Sequence, residues 1–391
     1  MEFFQHIHKE LIEGGSPTLQ RELQKSIDWS EHLICIKGFR GVGKTTFLLD
    51  FLRERYPNDK DVLYVNLNNF YFTKRTIFSF ADEFAKRGGK LLLFDQIQKY
   101  PEWSAELSRC YDELPDLKII FTSSSVLRVV EDNPDLQGKA VIYHLEGLSF
   151  REYLNHATKH EFNFYPFEEI LENHEKIAGE IVAKTRPLAH FNDYLENGFF
   201  PYFIENENFY INKLLKQINL ALEIDVPYIN QIELKYLSKL RKLLHIIASE
   251  TPFSPNVSKL ASAIETSRAT VMNYLRYLKN AKLIHLLYSN NGEDEMKKPD
   301  KIYMHNTNLL YAIAPNNIDK LNLRHTFFYN QLAYAHTVKS SEKADFMIDD
   351  TYHFLVGGHR TAAGKNMFAA ADMIEIGKGK KIPLWLLGFL Y

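Results

Sequence analysis

Gly38-Phe39-Arg40-Gly41-Val42-Gly43-Lys44-Thr45-Thr46 follows the apolar run Leu33-Ile34-Cys35-Ile36 and precedes Phe47-Leu48-Leu49-Asp50-Phe51-Leu52. The order is strand, glycine loop, helix, and the loop reads GxxxxGKT, the pattern that cradles phosphate. Glycines let backbone N–H groups close around phosphate oxygens. The helix that follows turns its positive N-terminal end toward the same charge. Lys44 is placed to reach the outer phosphates, and the Thr45 hydroxyl to ligate Mg²⁺. Gly38, Arg40, Gly41, Val42, Gly43, Lys44, Thr45 and Thr46 are therefore the candidate nucleoside-triphosphate-binding residues, with Mg²⁺ as the accompanying ion.

The chain has 391 residues, 45% hydrophobic and 25% charged, the balance of a globular protein of two or three domains. No apolar run approaches a membrane span, and Met1-Glu2-Phe3-Phe4 lacks the basic start of a secretory signal. Two cysteines make no disulfide framework, which fits a reducing cytoplasm. Fifteen histidines include the close pairs His6/His8 and His156/His160, but neither has Cys or carboxylate companions at zinc-ligand spacing.

Leu19, Leu23 and Ile27 fall at spacing four and predict a helical lead-in. Val62 to Leu67 reads as a buried parallel strand, and Phe78 to Ala85 as a helix stopping at Gly88-Gly89. Leu91-Leu92-Leu93-Phe94-Asp95 is four apolar residues ending in Asp, 51 residues past Lys44. This is the expected Walker B strand, with Asp95 orienting a Mg²⁺-bound water. Leu117 to Thr122 is a further strand. It runs into Ser123-Ser124-Ser125, where Ser124 stands either as a γ-phosphate sensor or in a turn capping the next helix. Val141 to Leu145 is the last strand candidate.

The P-loop, Phe94-Asp95-Gln96-Ile97-Gln98-Lys99, Phe121-Thr122-Ser123-Ser124 and Leu148-Ser149-Phe150-Arg151-Glu152-Tyr153-Leu154 together resemble the AAA-type ATPases that carry a C-terminal DUF4143 domain. The resemblance implies a P-loop ATPase core with Lys44, Asp95, residue 96 and Ser124 as its catalytic set. Members usually show Glu after the Walker B Asp, a Gly in the sensor stretch, and an Arg before the last core strand. Here those places hold Gln96, Ser123 and Lys139. A Gln keeps the shape of Glu but accepts no proton, so slow or absent hydrolysis is expected. A Lys lacks the planar fork of an arginine finger.

Residues 147 to 225 alternate helical patterns with acidic stretches and are expected to form a helical lid. From Lys235 to Tyr288 there are nine Lys/Arg against two Glu, a surplus of +7 in a chain of net charge −2. Within it, Val257 to Ile264 reads as a short helix. Ser267 caps a second with Val271, Leu275 and Leu278 on its apolar face. Leu283 to Tyr288 follows as a strand, and Asn290-Asn291-Gly292 is a hairpin signal. This is the winged-helix pattern. Arg268, Asn273, Arg276 and Lys279 are left facing out, suited to duplex DNA. Winged helices also serve as docking modules, so DNA and a protein partner both stand as expectations.

Residues 299 to 391 resemble DUF4143, which implies a restriction-endonuclease-like fold. Asp345 is present, but the carboxylates and Lys that such a metal site needs are missing around it, so no nuclease activity is expected. Ile382 to Tyr391 is expected to be a packed strand or a partner-binding edge. The expected architecture is α/β: a P-loop core with a parallel sheet (1–146), a helical lid (147–225), a winged-helix domain (226–298) and the nuclease-like domain (299–391). Two functions follow. One is a DNA-associated ATP-binding ATPase, forming a homo-oligomer by analogy with ring-forming relatives. The other is an ATP-loaded switch that binds a partner through its C-terminal domain.

Overall fold

The run Leu33–Ile36 is wholly buried, as a strand with neighbours on both edges and helices on both faces must be. In the computed structural model, which describes residues 1–15, 19–57, 59–205, 207–227, 233–250, 253–289, 297–357 and 362–391, the chain divides into two units, Met1–Glu146 and Gly147–Tyr391.

In the first unit, five strands are β1 (Leu33–Gly38), β2 (Val62–Asn66), β3 (Leu91–Asp95), β4 (Lys118–Ser124) and β5 (Ala140–His144). They lie in the order β2-β3-β4-β1-β5, all parallel. Parallel neighbours require crossovers, and the helices Lys44–Arg55, Ile77–Lys86 and Trp103–Glu113 supply them. The register sets Gly38 opposite Ser124 and Asn66 opposite Asp95. Every residue with a proposed catalytic role therefore comes to the C-terminal edge of one sheet, where open α/β sheets bind their ligands.

The expected helix through Leu19, Leu23 and Ile27 is reduced to one turn, α2 (Leu23–Ser26). Three residues at spacing four do not carry a helix across Ile27, which is extended at ψ 129, or into the Asp28 turn that accepts Ser30 N at 2.9 Å. The longer helix is α1 (Glu2–Glu13), and it guards the sheet's edge. His8 Nδ1 accepts the Tyr64 N–H of edge strand β2 at 3.0 Å, satisfying a donor that edge strands leave open. Phe4 meets Tyr71 and Phe80 edge-on at 5.1 and 5.2 Å.

The second unit buries residues from its two ends in one core. Phe150, Tyr153, Phe167, Ile170, Phe191 and Tyr194, from the helices Phe150–Thr158, Phe167–Val182 and Pro187–Asn197, share a cluster with Phe327, Phe354, Trp385 and Phe389. Phe167 packs 5.6 Å from Tyr352, and Phe191 4.9 Å from Phe327. The helices expected to form a separate lid thus seal the C-terminal sheet. That sheet runs β12 (Lys381–Pro383), β11 (Met367–Ala371), β10 (Tyr352–Val356), β9 (Phe346–Ile348), β8 (Val338–Lys339), parallel from β12 to β10 and antiparallel beyond. After Pro383 the chain turns into a 3₁₀ helix, Leu384–Phe389, every residue of which is buried. It is neither a long strand nor an exposed edge.

Between these parts lie the helices Leu237–Ser249, Val257–Ala263 and Arg268–Asn280, and β6 (Ile284–Leu287) paired antiparallel with β7 (Lys301–Met304). Phe253 bridges Ile302 beside them. Asn256 caps Lys259 N at 3.0 Å and Ser267 caps Thr270 N at 3.1 Å. β7 was grouped by sequence with 299–391, but its ladder partner is β6. The hairpin signal at 290–292 lies outside the described residues.

One residue ties this unit's helices together. Asn308 is fully buried; its Oδ1 accepts Phe199 N at 2.8 Å and Tyr210 OH at 2.5 Å, while its Nδ2 donates to Tyr194 O at 3.1 Å and Leu195 O at 2.8 Å. Asn308→Ala removes four buried hydrogen bonds at once. Denaturant unfolding is expected to show a loss of about 3–5 kcal/mol.

Candidate nucleotide site

β1 ends at Gly38, where a Cβ would stand 2.3 Å from Leu145 O, so no larger residue fits. Gly41 and Gly43 turn the loop at φ 85 and 95, backbone that L side chains resist. Gly43 then caps the helix Lys44–Arg55. Lys44 Nζ folds back onto the loop and donates to Gly38 O and Phe39 O, each at 2.8 Å. Arg40 and Gly41 are half-buried, Val42 is buried, and Thr45 and Thr46 are exposed at the start of the helix. A residue that sequence reading passed over holds the loop from behind. Arg21, 7% exposed, donates from NH1 to Val42 O at 3.1 Å and from NH2 to Glu146 O at 2.7 Å.

Asp95 is 1% exposed, and hydroxyls from three elements surround it. Oδ2 accepts Thr45 Oγ1 at 2.7 Å and Tyr64 OH at 2.8 Å, and Oδ1 accepts Thr122 Oγ1 at 2.5 Å. A buried carboxylate with no basic partner needs such donors. Burial foremost, with the Asp95 charge and hydrogen bond added, pushes the Tyr64 phenol far above its usual range, so it stays protonated and donating. Gln96 follows in left-handed backbone, φ 61 and ψ 51, and its N–H reaches Thr122 Oγ1 at 2.8 Å. Ser124, 4% exposed and in register with Gly38, has a hydroxyl with no hydrogen-bond partner. Such a buried group is costly to leave unmet and is available to an incoming acceptor.

Thr45 and Asp95 offer the hard oxygen donors that Mg²⁺ prefers, and they already touch. No group of three or more His, Cys, Asp or Glu among the described residues is arranged to hold a metal by itself. A cation here would therefore complete its shell from phosphate oxygens and water.

The remaining candidates are dispersed. Lys139 Nζ is bound at home, to Asp112 Oδ2 at 2.6 Å and Ser108 Oγ at 2.9 Å. On the helix Arg268–Asn280, Arg268 and Lys279 are exposed. Asn273 and Arg276 are half-buried, and the Arg276 guanidinium donates to Asn273 Oδ1. Asp345 Oδ2 accepts Val356 N at 2.8 Å and lies 3.8 Å from His325 Nε2. Among the described residues no helix is long and apolar enough to cross a membrane.

Residues 30–154 match the family model of an AAA domain. Residues 188–320 match the family model of a domain of unknown function, DUF8612, whereas the sequence resemblance pointed to DUF4143, at 299–391. The uncharacterized protein MJ1637 of Methanocaldococcus jannaschii is 26% identical over 73% of this chain, which spans 63% of that relative's length. The uncharacterized protein MJ1544 of the same organism is 25% identical over 80% of this chain and 71% of its own. Among solved structures, AMPPCP-bound DnaA from Aquifex aeolicus aligns at 19% identity over 71% of this chain and 87% of its own, with a TM-score of 0.27. Residues 30–154, most of which lie in the first unit, are thus similar to an AAA domain, and that unit holds a five-stranded parallel sheet with a P-loop.

Proposed function

We propose that this chain is an ATP-binding AAA-type protein that holds ATP and Mg²⁺ at Gly38–Thr46 and Asp95, hydrolyses slowly or not at all, and associates with DNA. The observation that carries the reading is the Thr45–Asp95 hydrogen bond, which joins the phosphate-loop helix to the Walker B strand. Bound there, Mg²⁺ would neutralise phosphate charge. The chain's own residues bind and orient: the glycine loop presents N–H groups, Lys44 brings positive charge, and Ser124 offers an unmet hydroxyl. Gln96 supplies no base, and Lys139, tied to Asp112, brings no arginine-like fork to a neighbouring copy. A ring-like homo-oligomer belongs to the reading by analogy alone. A cytoplasmic setting suits the two buried, unpaired cysteines, Cys35 and Cys110.

The DNA part rests on the basic segment and on the capped helix Arg268–Asn280 followed by the β6–β7 pair, read as a winged helix. The C-terminal sheet is read as a nuclease-like fold of the DUF4143 kind without a metal site, since the further carboxylates and the Lys that such a site needs are missing around Asp345. Titrating duplex DNA at several salt concentrations tests the DNA part. Affinity should fall steeply with salt, and reversing Arg268 and Arg276 to Glu should flatten the log–log slope by roughly 2. Salt-independent or absent binding removes DNA from the reading and favours the alternative, a nucleotide-loaded switch docking a protein partner. ATP binding itself is tested by fluorescent-nucleotide titration with and without Mg²⁺.

A further inference from the structure

The Asp95 carboxylate is gripped from both sides of its strand. β2 and β4 flank β3, and each contributes one buried hydroxyl, Tyr64 at 3% exposure and Thr122 at 0%. Their bonds fall on different carboxylate oxygens, 2.8 Å to Oδ2 and 2.5 Å to Oδ1, so together they fix the rotation of the carboxylate about its own axis. Neither hydroxyl belongs to the phosphate loop. The third donor, Thr45, does, and it stands on the ligand side. The carboxylate's direction is thus set by the sheet and not by the loop.

Thr122 has a second task. Its oxygen accepts the Gln96 N–H at 2.8 Å while its hydrogen goes to Asp95. One hydroxyl therefore links the carboxylate to the left-handed turn at residue 96. Tyr64 is itself anchored, since its N–H donates to His8 Nδ1 on α1.

From this geometry we infer that Tyr64 and Thr122 are positioning residues that aim Asp95 at a divalent cation shared with Thr45, and that Thr122 also sets the backbone of residue 96. The inference rests on the nucleotide-site reading. Partners of this kind, one bond removed from a metal site, govern metal affinity by about 10- to 100-fold.

Full-length Tyr64→Phe and Thr122→Val are compared with the unmodified chain by fluorescent-nucleotide titration, once in EDTA and once across a Mg²⁺ series. The midpoint of the Mg²⁺ response is expected to rise about 10- to 100-fold in both. Thr122→Ser, which keeps the hydroxyl, is expected to restore the midpoint, and melting temperatures check that each variant is folded. An unchanged Mg²⁺ midpoint in folded Tyr64→Phe and Thr122→Val, with nucleotide still bound, overturns the inference alone. Failure of the unmodified chain to bind nucleotide under any Mg²⁺ condition overturns the site reading and this inference with it.

Discussion

Gln96→Glu is expected to raise ATP turnover by about 10²- to 10⁴-fold, the gain that a positioned general base supplies. The position is already prepared. Its N–H is held by Thr122, its backbone is turned to φ 61, and it directly follows the buried Asp95. Glu and Gln have the same length and the same preference against left-handed backbone, so the exchange alters proton acceptance while preserving shape. Nucleotide affinity should change little, because the proposed phosphate contacts lie in the loop and not at residue 96. Phosphate release at saturating ATP and Mg²⁺ is the measurement, beside the unmodified chain. Equal turnover in the two would contradict the account of position 96. Rapid turnover with Glu alone would show that the remaining groups, Lys44 and Ser124 among them, are competent.

Lys44→Ala should weaken ATP binding by about 30- to 1,000-fold, corresponding to about 2–4 kcal/mol. Nζ is held within the loop by two carbonyls at 2.8 Å, an ordering that limits the rotamer entropy its charge must give up. Truncation removes that charge and also leaves Gly38 O and Phe39 O without their donor. The loop is secured independently by Arg21 on Val42 O, so the fold should survive. Fluorescent-nucleotide titration, with a melting curve to confirm folding, reads the effect. Affinity within threefold of the unmodified chain would remove Lys44 from the binding site.

The phosphate loop, the five strands of the first unit and Asp95 were legible because each is a local pattern: an apolar run of strand length, a glycine spacing, an acid at a strand end. Strand order is not local, and the residues that depend on it were missed. Tyr64 sits within Val62-Leu63-Tyr64-Val65 and reads as one more core aromatic until β2 is seen beside β3. Thr122 reads as a strand residue until β4 is seen on the other side. Arg21 lies in a stretch without periodicity, and only the folded loop gives it the Val42 carbonyl. In the second unit the helical patterns within 147–225 were read as a lid, because sequence does not show against which distant segment their apolar residues pack. The stretch 382–391 is apolar all round, a pattern equally suited to a buried strand or a buried helical turn.

The pooling of the second unit's core from both ends of its sequence bears on how the chain acquires its structure. The first unit can close its sheet once β5 is available, and its widest strand pairing, Leu33 with Ala140, spans 107 positions. In the second, Phe150, Phe167 and Phe191 must wait for Phe327, Trp385 and Phe389, some two hundred positions later by numbering. Contacts of that separation carry a large loop-closure cost and form slowly. The helices of residues 150–195 therefore spend the interval with their apolar faces uncovered, the condition in which nascent chains call on chaperones.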